Sequence, residues 1–183
     1  MGGSRACDGR VEGRAPGQVT DLERVSSYLH AQARKLSVPE LVDKVRNDSS
    51  QLRDALVSVP PDRFSVKPAP DEWSPNEVAA HIVITSDLFG QAIIEILAGR
   101  EPTSTPLDVI TEGAEVRTGA EWWALHEANR ERLFDSVLTA DPEAHLEQSI
   151  YHPTFGNLNW REALLFLRVH DLDHARQIRA VID

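Results

Sequence analysis

The stretch NWREALLFLRVHDLDHARQIRAVI, residues 159–182, decides the fold. Its apolar residues Trp160, Ala163, Leu164, Leu167, Ile178 and Val181 recur at the three-to-four-residue spacing of one helix face. His170 and His174 fill the two positions of that face where leucine would be expected. Asn159 followed by Glu162 makes a capping box, in which the cap side chain and the glutamate each satisfy a backbone N–H left orphaned by the helix start. The segment reads as a helix over 160–182.

The same start signature recurs upstream at Thr20/Glu23, Ser37/Glu40, Ser74/Glu77 and Thr118/Glu121, each ahead of a 3.6-residue apolar pattern. Pro75 stands at the first helical position after Ser74, and Pro39 in the first turn after Ser37. Stops are set by Pro60-Pro61, by Gly99 with Pro102, and by Asp141-Pro142. These signals predict helices over 21–35, 38–58, 75–98, 119–138 and 160–182, an all-α chain. The first is short and polar, with Leu22, Val25, Leu29 and Ala33 as its only stripe, and reads as an appendage to a bundle of the other four. Their connections, about 15 to 20 residues each, are longer than an ideal bundle uses and are expected to build a site or a lid. Val66–Trp73 and Leu146–Phe155 mix β-branched and aromatic residues with Pro and Gly, too weakly to predict a sheet.

A chain of 183 residues, 41% hydrophobic, can bury one substantial core. Residues 1–19 carry Gly2, Gly3, Gly9, Gly13 and Gly17 with almost no apolar periodicity, and are expected to be a disordered leader. The organisation is then a leader over 1–19, an appended helix over 20–36 and a bundle over 37–183. The formal charge of −10 repels phosphate polyanions, so nucleic acid and anionic membranes are poor partners. No apolar run approaches the roughly 20 residues of a membrane span, and no signal peptide is evident. A single cysteine, Cys7, excludes a disulfide-stapled scaffold. A soluble, cytoplasmic protein is expected.

The chemistry centres on histidine. The i, i+4 spacing of His170 and His174 stacks two imidazoles on one helix face, from which both can reach one ion at a Zn–N distance of about 2.0–2.1 Å. His81 lies within the stripe Val78, Ile82, Thr85, Leu88, Phe89, Ala92 and Ile96 and can supply a third donor from a facing helix. His126, on a stripe with Trp122, Arg130, Leu133 and Val137, is its rival. A lone core histidine is more often hydrogen-bonded packing, but three buried titratable rings without a shared ligand would be costly. Three neutral donors around a divalent ion leave a +2 site with an open position, suited to a thiolate, hydroxide or other anion. Gln177, three residues beyond His174, is a candidate to orient metal-bound water, with a core-edge glutamine bonded to backbone as an equal alternative. His152, in the Tyr151-His152-Pro153 loop, is a candidate at the pocket mouth, with a plain surface histidine as the alternative. Asp171 and Asp173 flank the pair, either as acceptors for ring N–H groups or, the reading preferred here, as solvated acids. No G-x-S-x-G turn, phosphate loop or dinucleotide fingerprint is present.

Two motifs carry a likeness to known proteins. Glu72-Trp73-Ser74-Pro75-Asn76-Glu77-Val78-Ala79-Ala80-His81, with the distal Gly156-Asn157-Leu158-Asn159-Trp160 leading to His170-Asp171-Leu172-Asp173-His174-Ala175-Arg176-Gln177, resembles the DinB/YfiT-like superfamily of metalloenzymes over about residues 37–182. The resemblance implies a four-helix bundle of unusual connectivity, frequently a homodimer, with one divalent ion such as Zn or Ni on His81, His170 and His174. Relatives include transferases that use low-molecular-weight thiols (mycothiol, bacillithiol), a mycothiol-dependent isomerase and hydrolases. The expectation is a metal-dependent S-transferase with a thiol cosubstrate and a small-molecule substrate. The alternatives are a metal-dependent hydrolase, drawing its base from His152, Asp171 or Asp173, and a non-enzymatic metal- or ligand-binding bundle.

Overall fold

The computed structural model describes residues 21–102 and 113–182. Five helices appear there: α1 (Asp21–Lys35), α2 (Val38–Ser58), α3 (Pro75–Leu97), α4 (Gly119–Leu138) and α5 (Trp160–Ile182). Their starts follow local chemistry. Ser37, Ser74 and Thr118 are extended residues whose hydroxyls accept from the backbone N–H groups of Glu40, Glu77 and Glu121, while each glutamate returns a bond to its cap. Ahead of α5, Asn159 Oδ1 accepts from Glu162 N at 3.1 Å and Glu162 Oε2 accepts from Asn159 N at 3.0 Å. Thr20 and the leader over 1–19 lie outside the described residues. Because the Ser74 cap is buried and starts the helix that carries His81, Ser74→Ala is expected to lower stability by about 1 kcal/mol, read as a fall in the denaturant midpoint.

α3 closes one residue earlier than expected, and the reason is a glycine. Gly99 adopts φ +71°, so that its N–H reaches Ile96 O at 2.8 Å and Arg100 N–H reaches Glu95 O at 2.9 Å. Those two bonds are a Schellman stop, which satisfies the last carbonyls of the helix.

Around the bundle, α2 packs against α5 and α4, and α3 against the same two, giving the cyclic order α2, α5, α3, α4. At one end the first turn of α4 runs so close to α2 that a Cβ on Gly119 would stand 2.1 Å from Leu56 O. α1 is held to α5: His30 Nδ1 lies 2.6 Å from Glu162 Oε1, and Arg161 donates from Nε to Ala33 O at 2.9 Å and from Nη2 to Leu36 O at 2.5 Å.

Two expectations need correction. A small sheet does form: β1 (Ile150–His152) pairs antiparallel with β2 (Gly156–Leu158), and the register places the buried pair Ile150 and Leu158 opposite each other. Three-residue strands are too short for alternation to show, and their pairing rests on packing against α3 and α5. α3 is also long and apolar enough, by length and composition, to cross a membrane, although no such run was expected. Its apolar side chains Val78, Ile82, Phe89, Ile93 and Ile96 are buried within the bundle.

The core is interrupted at mid-height. One apolar cluster gathers Leu41, Val45, Phe89, Ile93, Leu133, Phe134, Leu164 and Leu167; a second gathers Leu52, Leu56, Val78, Ile82, Trp122, Ala175 and Ile178. Between them every bundle helix contributes buried polar residues: Ser49 from α2, Thr85 and Ser86 from α3, His126 and Arg130 from α4, His170 and Asp171 from α5. Polar groups at one level of four helices cost desolvation unless they serve one another or a ligand.

Candidate metal centre

His81 occupies the second turn of α3, a helix start fixed twice over. Beyond the Ser74 cap, Asn76 Oδ1 accepts from Trp122 Nε1 at 2.9 Å and from Arg117 N at 3.2 Å, tying this turn to α4. His170 and His174 face it from α5. One ligand atom from each of the three rings lies within 4.8 Å of the others, and this is the group of His, Cys, Asp or Glu side chains among the described residues that could hold a metal ion.

The spacing suits such an ion. His81 Nε2 and His170 Nε2 are 3.4 Å apart, long for an N–H···N hydrogen bond. Two nitrogens about 2.0–2.1 Å from one tetrahedral ion would themselves be about 3.4 Å apart. The His174 ring is set by Gln177, whose Oε1 lies 2.8 Å from Nδ1. An amide oxygen can only accept, so Nδ1 carries the proton and Nε2 presents its lone pair. Gln177 therefore orients a ring, where the sequence suggested either metal-bound water or the backbone as its partner.

His170 is the buried member, while His81 and His174 are half-buried. Burial, reinforced by the neighbouring His174 and His81 and opposed by Asp171, holds the His170 ring well below the ordinary histidine pKa. It is neutral at pH 7 and available as a donor. Its Nδ1 is buried with no hydrogen-bond partner among the described residues.

The half-buried rings open on a cleft of about 640 Å³. One wall is the α2–α3 connection, with Asp71, Glu72 and Trp73; the other is the end of α5, with Gln177, Ala180 and Val181. Trp73 packs on His81 with ring centroids 5.0 Å apart. The long connection thus does form part of the site, but sequence reasoning did not single out Asp71, Glu72 or Trp73 as lining it. Trp73 and Glu72 were visible only as parts of a family motif.

Other candidates lie elsewhere. His152 is not among the residues lining the cleft. It packs half-buried on Phe166, Phe155 and Phe89, with Nδ1 accepting from Thr154 N and Phe155 N, and burial lowers its pKa. His126, the rival third donor, points to Asp171, with Nε2 3.3 Å from Oδ2. Asp171 is not the solvated acid preferred from the sequence. It is fully buried and accepts from Arg130 Nη2 at 2.9 Å and from Ser49 Oγ at 2.7 Å. Burial pushes its carboxyl up, but Arg130 and His126 outweigh that and hold it well below the usual carboxylate range. The signal for this partnership was available: an arginine on the apolar stripe of α4 requires a buried anion. Asp173 is exposed, 3.8 Å from Arg176.

The DinB superfamily profile matches residues 42–178, a span that includes all three histidines. This chain belongs to the DinB superfamily. Among solved structures it is similar to "Crystal structure of TT2238, a four-helix bundle protein", with a TM-score of 0.59 and 21% identity over 79% of this chain and 99% of that one. At that identity the likeness speaks to the four-helix fold. No curated protein matches the sequence. In this DinB superfamily member α1 precedes the matched span, the triad and the Asp171 network fall within it, and so does the cleft apart from Ala180 and Val181.

Proposed function

We propose that this DinB superfamily protein holds one divalent ion, such as Zn or Ni, on His81, His170 and His174 and uses it to transfer an external thiol to a small-molecule electrophile. The observation that carries this reading is the convergence of three imidazole nitrogens within 4.8 Å at the edge of a single cleft. No carboxylate belongs to the donor set, so its charge with a divalent ion is +2, and an anionic sulfur is a favourable further ligand. Such an ion supplies Lewis-acid chemistry, holding a thiol ionised at neutral pH, where it can attack an electrophile. The residues then have distinct tasks. Gln177 holds the His174 tautomer, Trp73 covers one side of the His81 ring, and the bundle core keeps water from the back of His170.

The bases that the sequence suggested for a hydrolase are not at the cleft, because Asp171 is neutralised by Arg130 and His152 and Asp173 do not line it; Asp71 and Glu72 do line it, and they keep hydrolysis as the second reading. Metal-loaded protein is expected to modify a haloarene or epoxide at pH 7 when a low-molecular-weight thiol is added, and not without it. Metal-dependent ester or amide cleavage lacking any thiol requirement would favour the hydrolase. Full metal loading with neither reaction would leave a binding protein.

A further inference from the structure

The cleft beside the triad has an electrostatic character that its donor set does not predict. Asp71 and Glu72 stand at its wall, and their carboxylates have no ion-pair partner among the described residues. Elsewhere on the surface, acids such as Asp43, Asp54, Asp87, Glu115 and Asp173 lie against arginines. Of the basic residues next to cleft residues in sequence, Lys67 and Arg176 face carboxylates and Arg179 a backbone carbonyl. Lys67 reaches Glu77 Oε1 at 3.1 Å, Arg176 lies 3.8 Å from Asp173, and Arg179 Nη2 donates to Gln51 O at 3.0 Å. Among the described residues no lysine or arginine lines the cleft.

The Trp73 indole lines the same cleft, and an aromatic face attracts ammonium groups, quaternary ones especially. Carboxylates and an indole both favour positive charge.

Resting on the metal-thiol reading above, we infer that the cleft selects a ligand with a cationic tail: a metal-directed donor joined to a protonated or quaternary amine. The +2 centre draws the anionic donor inward, and Asp71, Glu72 and Trp73 hold the amine toward the mouth. A thiol with an anionic tail meets two uncompensated carboxylates and is disfavoured.

Cobalt-loaded protein, titrated at low ionic strength with thiocholine, 2-mercaptoethanol and 2-mercaptoethanesulfonate, tests this through the visible thiolate-to-cobalt band. The three probes share one thiol and differ in the charge of the tail. Affinity is expected to fall in that order by about 10-fold from end to end, and the spread should collapse in an Asp71→Asn/Glu72→Gln variant. Equal affinities, or a spread unchanged in the variant, would overturn the inference. Tetramethylammonium, which carries no metal donor, provides a separate arm and should shift the Trp73 indole N–H resonance where methanesulfonate does not. If no thiol reaches the cobalt yet tetramethylammonium still shifts Trp73, the thiol reading fails and the cation preference stands. If neither probe registers, both are lost.

Discussion

Chelator-stripped protein titrated with zinc or nickel is expected to take up about one ion per chain, and His174→Ala to weaken that uptake by more than about 100-fold. The size follows from geometry: removing one of three donors leaves two imidazoles in the set. His174 is the informative position because it is half-buried and lies on the cleft, so truncating it leaves the core packing in place. His170→Ala should abolish uptake equally, with some added loss of stability because that ring is buried. Gln177→Ala should cost less, about 10-fold, since it frees the His174 ring without removing a donor. Competition with a chromophoric chelator measures all of these, with circular dichroism to verify folding. Equal stoichiometry and affinity in wild type and His174→Ala would remove the metal centre from consideration.

The largest effect on stability is expected one residue along, at Asp171. Asp171→Ala strips the buried Arg130 guanidinium of its counter-charge, and breaking a buried pair from one side costs about 3–5 kcal/mol. Arg130 Nε and Nη1 already lack hydrogen-bond partners among the described residues, and the guanidinium would keep only the long bond from Nη2 to Leu167 O. In a chain of this length such a loss lowers Tm by on the order of 10 °C. Replacing both partners, Asp171→Leu with Arg130→Met, should recover much of it, because no unpaired charge remains. A Tm for Asp171→Ala within a degree or two of wild type would mean that the pair is not formed in solution.

The same carboxylate gives stability a defined acid dependence. Its folded pKa lies below its unfolded value near 3.9, so its stabilising contribution is complete at neutral pH. The contribution then declines as pH falls through and beneath the ordinary carboxylate range. The slope of stability against pH between about 5 and 3 should therefore flatten in the double replacement.

Helix boundaries were legible because each is decided by groups within four residues. Ser37, Ser74 and Thr118 cap the N–H groups of their own first turns whatever the rest of the chain does. Gly99 moved one boundary by a residue, and that too is local: a positive φ closes the Schellman bonds to Ile96 and Glu95. The β1–β2 hairpin was not legible, since strands this short carry no period and their pairing depends on α3 and α5 beneath them.

By itself, the sequence determined the five helices, their apolar faces and the positioning of His170 and His174 one turn apart, because backbone hydrogen bonding and a 3.6-residue period are properties of contiguous residues. Only the tertiary structure decided that His81 rather than His126 joins them. Both histidines lie on apolar stripes of helices that touch or neighbour α5, and nothing along either helix states which ring meets the pair. The choice was made by how α3 and α4 are set around α5: Asn76 and the Ser74 cap hold the first turns of α3 so that His81 faces the cleft, while Arg130 and Asp171 draw His126 into the polar layer behind it. Chain-distant side chains such as Trp73 and Val181 line one cleft for the same reason, since contacts across many residues arise from packing, which no local spacing encodes.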